Sequence, residues 1–192
     1  MAQKLTVASN HEALAAIFND VEEVLYSPSE FVSTGTSAIS NLIDLPVLGD
    51  SISFNMGEVE LTQIKLTNET IWSSKAKRGD ADITFNVASV SETVNELFMT
   101  STDKKASIEM DSFSGAMHGN GYSLQPKALT GALIFPSQDR KCVLILPNIE
   151  AYASLNVADG DNPAYFSLKV TPKENSEGVE IFIFEKNVTA GA

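Results

Sequence analysis

The chain is expected to be mainly β, a β-sandwich or barrel with one flanking α-helix and an additional N-terminal helix or arm. Three observations predict this. From Ser51 onward apolar residues alternate with polar ones at a period of two, in segment after segment. Clusters rich in Asp, Asn, Gly, Pro and Ser, such as "SQDRK", "DGDNP" and "KENSEG", separate those segments at short spacing. One main helical stretch interrupts the series, which suits a helical cap on a sandwich or barrel better than alternating βαβ units.

Taken in order, the first fifty residues form a helix and an extended arm. Ser9 and Glu12 make an S-x-x-E capping box, and Leu14, Ile17, Phe18, Val21 and Leu25 follow at helical spacing. This predicts a helix from about Asn10 to Leu25, stopped by "SPS". The small, polar stretch up to Asp50 reads as an arm with weak strand character from Leu42 to Leu45.

Residues 51–185 form the core. "SISFNMGEVELTQIKLTN" alternates through Ile52, Phe54 and Met56, then through Val59, Leu61, Ile64 and Leu66, with a phase slip at Gly57 that predicts a bulge or bend. "ADITFNVAS" alternates again. A second capping box, Ser89 with Glu92, opens a helix over about 90–100, whose Val90, Val94, Leu97 and Phe98 make one apolar stripe; "DKK" follows its end. The remaining segments "ASIEMDSF", "ALTGALIFP", "CVLILPNIEAYASLNV", "AYFSLKVTP" and "VEIFIFEK" read as strands. "CVLIL" is apolar on both faces and suits a central position. Residues 186–192 are a C-terminal tail.

Composition narrows the class. With 192 residues and 43% hydrophobic content the chain can build one sizeable core. Its formal charge of −12, from 25 acids against 13 bases, argues against a broad phosphate-binding face. Cys142 is the sole cysteine, which leaves no internal disulfide framework; in an apolar run it reads as a small buried hydrophobe. No signal-peptide pattern and no run of transmembrane length is found, so no membrane role and synthesis in a cytoplasm are expected.

Enzymatic chemistry finds little footing, and no catalytic, metal-binding or cofactor-binding residue is assigned. His11 and His118 are the two histidines; His118 lies in "GAMHGNGY", a glycine-rich turn that matches neither a dinucleotide fingerprint nor a P-loop. "SFSGAM" lacks the first glycine of a nucleophile elbow. Asp159 and Asp161 begin like a calcium loop, but the later ligands are missing and a turn is the better reading. Asp20, Glu22 and Glu23 read as a solvated helix surface.

One segment stands apart. Between the alternation that stops near Leu66 and the one that resumes near Ala81 lie about a dozen residues, where hairpin loops ordinarily take about two to five. This stretch carries the single tryptophan, Trp72, with Lys75, Lys77 and Arg78, on an otherwise acidic chain. Tryptophan and arginine are favoured at interface hot spots, and opposite charge supplies register and steering. The segment is therefore expected to be a loop that docks onto another copy of the same body, with these four residues at the interface.

The order of these features from Leu45 to Lys173 resembles the major tail tube proteins of long-tailed bacteriophages and related contractile injection systems. The resemblance rests on strand, long loop, Gly79-Asp80, strand and capped helix in "LPVLGDSISFNMGEVELTQIKLTNETIWSSKAKRGDADITFNVASVSETVNELFM". Paired strands follow in "ALTGALIFPSQDRKCVLIL" and "YFSLKVTP". It implies a structural virion protein, not an enzyme, whose subunits form stacked hexameric rings around a hollow tube. Its partners would be itself and other tail proteins, with DNA as passing cargo, and its place the virion tail, after synthesis in the host cytoplasm. In that family the long loop, here about Thr67 to Gly79, reaches the neighbouring ring. The N-terminal helix departs from the family pattern. A different β-sandwich module, for capsid decoration or carbohydrate binding, is the alternative.

Overall fold

The structure is a computed structural model that describes residues 18, 20–33, 41–67, 69–88, 91–112, 114–157 and 163–186. Its strands, in chain order, are β1 (Val24–Ser27), β2 (Ile43–Leu45), β3 (Ser53–Asn55), β4 (Val59–Lys65), β5 (Ile71–Arg78) and β6 (Asp82–Val87). After the helix α1 (Glu92–Phe98) come β7 (Thr100–Ile108), β8 (Met117–Ser123), β9 (Leu129–Pro136), β10 (Cys142–Asn156), β11 (Tyr165–Lys173) and β12 (Phe182–Glu185). The chain is mainly β, with antiparallel sheets in a sandwich-like arrangement and one helix, as expected.

One large sheet in the order β2-β1-β9-β10-β11-β6-β3 makes the body, with β12 also paired to β10. Its spine is β10, fifteen residues long. Cys142–Ile145 lies between β9 and β12, whereas Asn148–Asn156 pairs with β11, and the register against β9 slips between Leu146 and Ile149. Pro147 sits inside that slip, where the missing N–H is no loss to the ladder. The central place expected for "CVLIL" is observed, and Cys142 is buried.

The sheet curls until its two ends meet. Val47, two residues beyond β2, bridges to Val87 of β6. Leu48 N–H donates to the Asn86 carbonyl at 2.8 Å, and Ala88 N–H to the Pro46 carbonyl at 2.7 Å. Because β2 holds β1 on its other side, the stretch from Ile43 to Leu48 staples the β1 side to the β6 side, which protects strand edges from stray pairing. Inside, Phe54 and Phe85 meet Phe135 edge-on, at 5.7 and 6.4 Å between ring centres. Each such buried side chain contributes about 1.5–3 kcal/mol by leaving water. The helix covers one flank with Val94 and Phe98, and Phe98 lies 5.0 Å from Phe166 of β11.

Four local expectations are corrected. The predicted helix from Asn10 to Leu25 ends wrongly: Val21 bridges to Ser137, and Val24 to Ser27 form a strand between β2 and β9. Residues 10–17 and 19 of that prediction lie outside the described residues. The helix α1 is capped by Ser91, whose Oγ accepts from Val94 N–H at 3.5 Å; Ser89 and Val90 lie outside the described residues. His118 belongs to strand β8 rather than to a turn, and "DKK" lies within β7. The phase slip at Gly57 is not a bulge in one strand but the break where the chain leaves the large sheet at β3 and starts a separate ribbon at β4.

Candidate functional site

The dozen-residue loop expected between Leu66 and Ala81 is in fact a β-hairpin. β4 and β5 pair from Val59↔Arg78 to Ile64↔Ser73, with a shift before Lys65↔Ile71. The turn is brief: Glu69 N–H donates to the Leu66 carbonyl and Leu66 N–H to the Thr70 carbonyl, each at 2.9 Å. Glu69 takes a left-handed φ of 63°, as a three-residue hairpin loop requires of its last residue. Both strands are exposed along their length apart from Ser73, which is half-buried. At about 3.3 Å per residue the ribbon extends roughly 25 Å.

A narrow neck joins ribbon and body. Gly57 adopts φ 83°, a β-carbon there would overlap the Gly79 carbonyl and lie 2.7 Å from the Asp80 carbonyl oxygen, and Gly79 N–H donates to the Glu58 carbonyl at 2.8 Å. The ribbon continues the β3–β6 pair outward, turned away from the sheet at this glycine pair.

Its two faces differ. Residues directly opposite in an antiparallel pair share a face. One face therefore carries Val59, Leu61, Ala76 and Ile71, with Arg78 and Lys65 at its two ends, and the other carries Lys75 and Lys77 opposite Thr62 and Glu60, with Ile64 beyond them. Val59 and Leu61 are each 64% exposed and Trp72, at the register shift, 71%. Of the four interface residues expected from sequence, Trp72, Lys75 and Lys77 thus stand in solvent on the ribbon. Arg78, at its base, instead forms an ion pair with Glu180 of its own body. Residues 59–78 hold four cations and two acids, a net +2, so the rest of the −12 chain carries −14.

A second two-stranded ribbon, β7–β8, follows the helix and is also exposed over most of its length. Asn120 Nδ2 donates to Glu92 Oε1 at 2.5 Å, tying it to the start of α1, and Ile108, Met110 and Met117 leave its far end apolar. His118 lies opposite Ser107 on the face that lines a groove with α1.

At the closing seam of the barrel a third feature was missed by sequence reasoning. Asp20, Glu22, Glu23, Asp44 and Asp50 line one cleft, together with apolar residues that include Val47. These acids come from separate stretches of sequence, so no local motif could reveal them. The reading of Asp20, Glu22 and Glu23 as a helix surface is corrected: they lead into β1, and Arg140 grips Glu22 through two bonds of 2.8 and 2.9 Å. That hydrogen bond holds the Glu22 carboxyl below its ordinary range. Among the described residues no lysine or arginine stands within ion-pair distance of Asp44 or Asp50.

Among the described residues, no cluster of three or more metal-ligating side chains occurs, and no helix is long and apolar enough to cross a membrane. His11, Asp159 and Asp161 lie outside the described residues. Comparison with known protein families finds no match, and comparison with curated proteins finds none.

Proposed function

We propose that this chain is a structural module that assembles with copies of itself. More particularly, we read it as a tail tube subunit: hexameric rings stacked into a hollow tube in the virion tail, in company with other tail proteins and with DNA as passing cargo. The observation that carries this reading is the β4–β5 ribbon. An isolated two-stranded ribbon is at best marginally stable in water, and a third strand or a packed face is what normally sustains one. Here two such ribbons leave one small body, and the first exposes Val59, Leu61, Ile71 and Trp72 together. An apolar surface of that kind marks an association site.

The outer edge of the barrel supports lateral contact as well. Among the described residues β12 pairs with β10 alone, and Ile183 and Phe184 on it are exposed. Ring closure would occupy such edges. The acidic body suits a lumen that repels phosphate, so that DNA slides rather than sticks.

Negative-stain microscopy of the concentrated, purified chain tests this. Rings or hollow rods are expected. A dispersed monomer at every concentration, binding a glycan or a capsid shell instead, overturns the reading.

A further inference from the structure

The cationic ribbon and the acidic cleft lie at opposite ends of the same strand. β6 starts at the neck, where Asp82 pairs with Asn55, and finishes at the seam, where Asn86 and Val87 meet Leu48 and Val47 of the cleft wall. The ribbon projects from the first end and the cleft opens at the second. A copy cannot place its own ribbon in its own cleft without crossing the barrel. A second copy, translated along the axis of β6, meets no such obstacle.

Their chemistry is complementary. One ribbon face bears Lys75 and Lys77, with Glu60 opposite Lys77 and Thr62 opposite Lys75, so its cationic end is centred on Lys75. The cleft lining includes Asp44, Asp50 and Glu23, and with them Val47. Arg78 is committed to Glu180 of its own body, so the charge offered outward comes from Lys75 and Lys77, and opposite charge across a contact favours an acidic receiving surface.

The geometry points to a head-to-tail contact in which the Lys75–Lys77 face of the β4–β5 ribbon of one copy seats in the acidic cleft at the β2–β3 seam of the next. This names the receiving surface for the self-assembly proposed above and rests on that reading. A contact between two different patches of one molecule need not end at two copies: it closes into a ring or runs on as a filament, and a translation along β6 gives the filament. Glu22 remains committed to Arg140, so Asp44 and Asp50 provide the charge for the incoming lysines.

Two charge-reversed variants test it. Lys75→Glu with Lys77→Glu reverses the ribbon, and Asp44→Lys with Asp50→Lys reverses the cleft. Each variant alone should associate at least about tenfold more weakly than the native chain by sedimentation velocity, since both create like-charge contacts. Mixed in equal amounts they should assemble again, because each reversed surface meets a surface of opposite sign. A native assembly that weakens between about 0.05 and about 0.5 M salt is also expected. Circular dichroism identifies any variant that does not fold. For that case, Lys75→Cys with Asp44→Cys in one chain should give a ladder of disulfide-linked multimers under oxidation. Variants that assemble like the native chain, a mixture that fails to assemble, or an absent ladder in an assembling protein would overturn the ribbon-in-cleft contact and leave the tube reading standing. A native chain that stays monomeric overturns both.

Discussion

Gly131 shows how one residue can decide a strand pairing. It sits in β9 between β1 and β10 with φ 138°, and a β-carbon there would run into the Ser27 carbonyl oxygen and come within 3.0 Å of the Pro28 carbonyl carbon. Gly131→Ala should therefore cost about 1–3 kcal/mol, read from urea unfolding, through backbone strain at this contact. Phe135 meets Phe54 and Phe85 in the core, and Phe135→Ala should cost about 3–5 kcal/mol in the same measurement. Two surface carboxylates give a pH signature. Glu22 is held below the ordinary value of 4.5 by its hydrogen bond with Arg140, and Glu150 by bonds from Lys173 and Tyr152. For a depressed folded-state pKa, the stabilisation is complete above the ordinary value and is lost as pH falls through the lowered one. Glu22→Gln should thus lower the urea midpoint near neutrality, and its deficit against the native chain should shrink as the pH drops below about 4.

Among the elements, the ribbon separates stability from association. Replacing Glu60 to Lys77 by an Asn-Gly turn removes two strands whose side chains are exposed apart from Ser73 and leaves the aromatic core of the barrel untouched. The melting temperature should move by no more than about 5 °C, which is the scale of a change near 1 kcal/mol, while assembly is lost by light scattering. Amide exchange offers a second check: β4 and β5 should exchange fast in dilute chain and slowly in concentrated assemblies. The same exposure explains what was legible. β9, β10 and β11 alternate or run apolar because at least one face of each is buried, so their sequences carry the period of the fold. β5, "IWSSKAKR", faces water on both sides and has no inside to mark, so it reads as a loop. The start of β7, from Thr100 to Lys105, is exposed on both sides and hides for the same reason. At β1 the error has another origin: Val21 and Leu25 continue the helical spacing of the residues before them, whereas the pairing with β2 and β9 that makes Val24–Ser27 a strand is long-range. Of the candidate site, Trp72, Lys75 and Lys77 were legible by composition alone; the acidic cleft was not, since tertiary folding gathers it from separate stretches.

For the whole molecule, the separation of charge governs behaviour in bulk. A +2 ribbon on a −14 body is a dipolar unit whose self-association should be favoured by concentration and opposed by salt. Sedimentation at fixed concentration should show the mean assembly size falling steadily as salt rises from about 0.05 to about 0.5 M, a range over which the screening length contracts to a few ångströms. Apolar association alone would show no such decline, so the profile reports how much of the contact is carried by Lys75 and Lys77.

Placing neck and seam at opposite ends of β6 gives any linear array of these molecules two unlike tips. One tip would display unsatisfied lysines and a bare tryptophan, and the other a row of vacant carboxylates. Growth rates at the two should differ, and a stopper suited to one would ignore the other. Cationic gold particles added to isolated rods should accordingly mark a single extremity.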